Sequence, residues 1–163
     1  MAPTRRPLRG VALMEALVAV VLLSMGALAY AALQLRGLSS NTSSMWRSKA
    51  AMLAYEMSDR MRANRAGVTA GSYANLVVAE VVNDCGGAQS CAPARMAALD
   101  FYLWSTTLAA ELPGAKGVVC IDSTPDDGTT EAPACDGAGT TYAVKVLWKE
   151  RGEESRLAVA VRP

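Results

Sequence analysis

Twenty-five consecutive residues, Val11 to Leu35, read VALMEALVAVVLLSMGALAYAALQL and carry a single charge, Glu15, with Ser24 and Gln34 as the other polar groups. A chain with such a segment cannot place all of itself in water at low cost. As an α-helix the segment spans roughly 37 Å at about 1.5 Å per residue, more than the roughly 30 Å of bilayer hydrocarbon. Arg5, Arg6 and Arg9 precede it with no acid nearby. The positive-inside rule therefore holds residues 1–10 in the cytoplasm and sends the C-terminal part across. A cleaved secretory signal is a poorer account, although Ala29 and Ala31 offer small residues for cleavage, because its apolar region normally runs about 7–15 residues. A plain signal anchor explains length and orientation but not Glu15. A carboxylate there costs about 2.5–3.5 kcal/mol near the centre of a membrane helix and less near its end.

The rest of the chain is sized for one domain. With 163 residues in all, there is room for a membrane helix and a single head with its own core. Removing the three leader arginines leaves 13 basic residues against 15 acids, about −2 formally, so no basic field for nucleic acid remains. Arg60, Arg62 and Arg65 read as a solvated helix face rather than a DNA contact. Histidine is absent, which removes the commonest general base and metal ligand. No serine, aspartate or glutamate falls in a recognisable catalytic setting, so no enzyme and no cofactor is expected.

Beyond Leu35 the helical pattern persists to about residue 66 and becomes amphipathic. Leu38, Met45, Leu53, Met57 and Met61 lie on or near one face, with Arg36, Arg47, Lys49 and the three later arginines more exposed. The run Ser39 to Ser44 could interrupt it, since Ser, Asn and Thr favour turns and caps. Gly67 and Gly71 mark its end. Tyr73 to Val82 suits a short strand or a helix. Pro93 opens a second helix and Pro113-Gly114 stops it. Two stripes run along that helix, Met96, Leu99, Leu103 and Ala110 beside Phe101, Trp104, Leu108 and Leu112, and an aromatic stripe of this kind is core packing. Past Gly114 the period becomes two. Val118 to Ile121 forms a short strand; Tyr142, Val144, Val146 and Trp148 alternate with Ala143, Lys145, Leu147 and Lys149; Leu157, Val159 and Val161 alternate in a last strand, joined by a hairpin at Glu150 to Glu154. The expected class is α+β: a long N-terminal helix packed on a small antiparallel sheet with a second helix nearby.

Four cysteines, Cys85, Cys91, Cys120 and Cys135, allow three pairings. Cys85 with Cys91 and Cys120 with Cys135 is favoured, because each closes a loop rich in Gly, Pro and Asp, and export makes oxidation plausible. The longer closure is worth about 3 kcal/mol in the chain-entropy model. Neither spacing suits a metal, so none is expected. Asp122, Asp126, Asp127 and Asp136 cluster around the second loop but lack EF-hand spacing, and solvated acids are the simpler account of them.

Gly10 followed by Val11 to Glu15, GVALME, resembles the class III signal of type IV prepilins: a basic leader ending in glycine, an apolar mature start, and glutamate at the fifth mature position. The resemblance implies a type IV pilin-like fold, cleavage between Gly10 and Val11 by prepilin peptidase, and methylation of the new amine on Val11. It also implies that Glu15 pairs with the N-terminal amine of a neighbouring subunit. Many major pilins have proline where this chain has Ala32, and without it a continuous helix is expected, Gly26 adding only mild flexibility. The chain further resembles the PilV family of minor pilins, the type IV pilus modification proteins. That likeness is carried by Glu15 to Val20, the Asp84-Cys85 to Cys91 loop, Asp100 followed by Trp104, Leu112 to Gly114, Val119-Cys120, and Tyr142 to Trp148 before Lys149 to Arg151. It implies a subunit that joins other minor pilins and the major pilin, primes assembly at an inner-membrane platform, and sits at the fibre tip beneath an adhesin. The implied layout is leader 1–10, membrane and filament-core helix 11–35, amphipathic continuation 36–66, and a disulfide-linked periplasmic head 67–163. An I-type minor pseudopilin of a type II secretion system would share leader, Glu15 and fold. A single-pass anchored periplasmic binding protein is the remaining alternative.

Overall fold

The computed structural model describes residues 9–83, 85 and 91–162, with side chains from Ala12 onward. Leader residues 1–8, including Arg5 and Arg6, lie outside the described residues, as do Asp84 and residues 86–90 of the first cysteine loop. The chain divides into two compact units, Met1–Thr42 and Ser43–Pro163.

Helix α1 runs Arg9–Ala63, 55 residues without a proline and rich in Ala, Leu and Met. The Ser39 to Ser44 run does not break it. Thr42 Oγ1 turns back onto the helix and donates to Leu38 O at 3.0 Å, while Ser43 Oγ donates outward to Glu150 Oε2 at 3.2 Å, so neither hydroxyl competes with the helix backbone for its own N–H groups. In the second unit Ala50, Leu53, Ala54, Met57 and Met61 are buried along one face at helical spacing, whereas Met45 stays half exposed. The helix ends at Asn64, whose backbone leaves the helical region. Asn64 Oδ1 accepts from the Gly67 backbone N–H at 3.1 Å and so caps a short helix α2, Arg65–Thr69. Gly67 therefore lies inside α2 rather than past a helix end. A Cβ there would meet Asn64 Nδ2 at 2.5 Å. Gly71, at φ +75°, is the residue that turns the chain away.

Strand β1 is only Asn75–Leu76. Helix α3, Pro93–Glu111, begins with Pro93 in its first turn, where the missing N–H costs nothing, and ends as Leu112 goes extended. Its buried residues are Ala97, Asp100, Phe101, Trp104 and Leu108, so the Phe101 stripe is the core face; Leu103 is 43% exposed and Ala110 is exposed. Strands β2, Lys116–Ile121, β3, Tyr142–Glu150, and β4, Glu153–Val161, follow. The antiparallel sheet has the order β1-β2-β3-β4, one strand more than the pattern of period two announced. Its registers pair Asn75 with Cys120, Val119 with Val144, and Val146 with Leu157. The β3–β4 connection is two residues, Arg151 at φ 55° and Gly152 at φ 85°, the left-handed pair that a type I′ hairpin requires.

Both faces of β3 are covered: Tyr142 to Trp148 are all buried. Val144, Val146 and Trp148 join Val119, Phe101, Trp104, Leu53 and Met57 in one core between sheet and helices. The other face carries Val118, Cys120, Ala143, Lys145 and Leu147, each 1% exposed or less. The segment 122–141 lies over that face, fastened to β3 and β4 through Lys145, Lys149, Glu154 and Arg156. Lys145 is thus not on a wet face. It is among the most buried side chains of the head.

Candidate assembly site

Every described residue from Ala12 to Leu38 is exposed. That surface includes Leu13, Leu17, Leu22, Leu23, Leu28 and Leu33, each more than half exposed, a density of bare apolar area that water does not tolerate. One helix of the described residues is long and apolar enough to cross a membrane. Within Ala12–Leu35 the polar side chains have partners in the helix itself, with one exception among the described residues. Ser24 Oγ bonds Val20 O and Val21 O at 2.9 Å, and Gln34 Nε2 donates to Tyr30 Oη at 2.6 Å. Glu15 is the exception: among the described residues it has no hydrogen-bond or ionic partner. It shares a shallow apolar groove with Met14, Val18, Ala19 and Leu22. A carboxylate set in such a groove needs an external cation to offset its desolvation once lipid or protein covers the helix. Gly10 and Val11 are helical in backbone; their side chains lie outside the described residues.

The head is tied together by two polar networks. In the first, α3 is locked to α1 and to the segment after α2. Asp100 Oδ2 accepts from Tyr73 Oη at 2.8 Å, and Asp100 Oδ1 from Arg60 Nη1 at 3.3 Å. Asn64 Nδ2 donates to Tyr73 Oη at 3.1 Å and to Pro93 O at 2.8 Å. Burial, then the bond to Asp100, pushes the Tyr73 phenol well above its usual range. Burial opposes the Arg60 charge, yet Glu56 and Asp100 outweigh it and hold the guanidinium still higher. Arg60 is therefore a structural tie and only partly a solvated charge. Four residues along, Trp104 Nε1 donates to Leu53 O at 2.8 Å, and its ring lies on Gly117, where a Cβ would come within 2.2 Å of Cζ3.

In the second network, Lys145 Nζ forms an ion pair with Asp122 and donates to Asp127 Oδ1 at 2.6 Å, Pro133 O at 3.0 Å and Ala134 O at 3.1 Å. Burial alone would lower the lysine, but Asp122 and Asp127 reverse the sign and raise it. Asp136 is held down to about 2 by the Ser123 hydroxyl first, then by the N–H groups of Ala138 and Ser123. The disulfides join Cys85 to Cys91 and Cys120 to Cys135. Cys120, Asp122 and Cys135 bring potential ligand atoms within 4.8 Å of one another, but both sulfurs are committed to the disulfide and Asp122 to Lys145. Sequence reasoning missed the Lys145 cage; the available signal was a lone lysine between Ala143 and Leu147, in a strand apolar on both faces.

A long N-terminal helix, a small four-stranded antiparallel sheet and a second helix laid on it make a type IV pilin fold. A family model described as Tt1218-like, Type IV pilin Tt1218, matches residues 32–102, somewhat less than half of the chain. No curated protein and no solved structure gives a match. The matched stretch contains Arg60, Asn64, Tyr73 and Asp100, the four side chains of the first network. The match supports a pilin-like function in assembly with other pilins, and the matched family is structural rather than enzymatic.

Proposed function

We propose that this chain is a minor pilin of a type IV pilus, of the PilV kind, which joins other minor pilins in the complex that primes assembly and sits at the fibre tip beneath an adhesin. In this reading prepilin peptidase cuts between Gly10 and Val11 on the cytoplasmic side, the new amine on Val11 is methylated, and α1 holds the subunit in the inner membrane with its head in the periplasm. The observation that carries it is Glu15, a carboxylate without a partner among the described residues on an otherwise apolar, exposed stretch of helix. In lipid that charge is isolated. Beside the ammonium at the start of a neighbouring helix it is neutralised in a medium of low dielectric, where attraction is strong. The pairing would set the register of each incoming subunit. Within the head, Met52 and Tyr55 on α1 are each more than half exposed and offer neighbours a separate apolar contact.

N-terminal analysis of the full chain extracted from membranes tests the processing. A methylated residue at Val11 is expected, and a mature terminus at Met1 or near Ala31 would overturn the reading. Deletion of the gene should then remove surface pili while leaving type II secretion intact; the reverse would assign the chain to a pseudopilus.

A further inference from the structure

We infer that Lys145 is the internal cation around which segment 122–141 is organised before its disulfide closes, and that it thereby directs Cys120 to Cys135. This stands independently of the filament reading. The atoms that Lys145 holds flank both cysteines. Asp122 is two residues beyond Cys120, and Pro133 O and Ala134 O immediately precede Cys135. Cys120 and Lys145 are diagonal neighbours on one face of the sheet, since Cys120 pairs with Ala143 and Val118 with Lys145. The ammonium therefore reaches from β3 to the two residues before Cys135, whose Cα lies 6.2 Å from that of Cys120.

Segment 122–141 has no helix or strand to guide it, so without such a centre its closure over the sheet is a search through loop conformations. Two carboxylates and two backbone carbonyls converge on one buried ammonium, an arrangement whose contacts involve neither a metal nor a cysteine side chain. Closure itself is thiol–disulfide exchange. One cysteine thiolate attacks a disulfide oxidant such as oxidised glutathione and expels a glutathione thiol. The second cysteine then attacks the mixed disulfide and expels the other, so two electrons and two protons pass from the cysteines to the oxidant. Lys145 takes no part in electron transfer; it raises the local concentration of one thiol about the other.

The test is oxidative refolding of the full chain in detergent with a glutathione redox pair, read by non-reducing peptide mapping over time, for the wild type and Lys145→Met. The wild type should form both native disulfides. In the variant, formation of Cys120–Cys135 should slow by about tenfold or more, with mispaired species appearing, while Cys85–Cys91 closes at an unchanged rate. Equal rates for Cys120–Cys135 in the two proteins would overturn the inference. A second measurement covers a variant that fails to refold. In a Cys120→Ser, Cys135→Ser chain, hydrogen exchange of the Gly137 amide, bonded to Ile121 O at 3.0 Å, should remain protected. Adding Asp122→Asn should cut that protection about tenfold. Protection already lost in the serine chain, or unchanged by Asp122→Asn, would equally overturn it.

Discussion

Gly117 and Trp104 show how one missing methyl group sets the distance between a helix and a sheet. The indole lies flat enough on β2 that any side chain at 117 collides with a fully buried ring that is also tethered to Leu53 O. Gly117→Ala is expected to destabilise the protein by about 1–3 kcal/mol, the usual cost of overpacking, as a lower melting temperature of the full chain in detergent. Asp100 makes a related point about reading sequences. Its position in an apolar stripe, three residues after Ala97 and four before Trp104, was visible, but its partners Arg60 and Tyr73 come from 40 and 27 residues away. Periodicity reports which face is buried and says nothing about which distant polar group will meet it.

Helix α3 was legible because Pro93 and Pro113-Gly114 punctuate it chemically. Strand β1 was not, because two residues carry no periodicity and exist as strand only through pairing with Cys120 and Val119. The covering of β3 was hidden for a similar reason: alternation predicts a wet face whenever a lysine falls in it, and segment 122–141 has no pattern that announces a cover. At the hairpin, Arg151 occupies a left-handed position that costs an ordinary residue energy. Arg151→Asn should stabilise the protein by about 0.5–1 kcal/mol, measured as a shifted denaturation midpoint, since Asn-Gly is the favoured type I′ pair. The loop has its own pH dependence. Asp136, held at about 2, and Asp127, lowered chiefly by Lys145, have folded values below their unfolded ones, so their stabilisation is present above about pH 4 and is lost as pH falls toward 2. Hydrogen exchange at the Ser123 and Ala138 amides, both bonded to Asp136, should therefore speed up in that window before the core strands respond.

At the scale of the whole molecule, the two units answer to different solvents. The head has a closed core in water, whereas residues 12–38 have none and depend on lipid or on other helices. Between lipid and a helical bundle the apolar area makes little difference, because both surroundings are equally oily. In the proposed reading, what distinguishes the two is the charge on Glu15. Glu15→Ala is expected to leave processing intact and to reduce the subunit's abundance in sheared fibres several-fold, measured by immunoblot of fibre and membrane fractions; equal abundance would show that register is set elsewhere.

The cover over the sheet is anchored at Pro133 and Ala134 through main-chain oxygens, which every amino acid possesses, while Thr129, Ala132, Ala138 and Thr140 are exposed. Its path is therefore specified by a handful of pegs, and the lettering on its outer surface is free to be rewritten. What this patch displays can therefore change without retooling the β-structure beneath it.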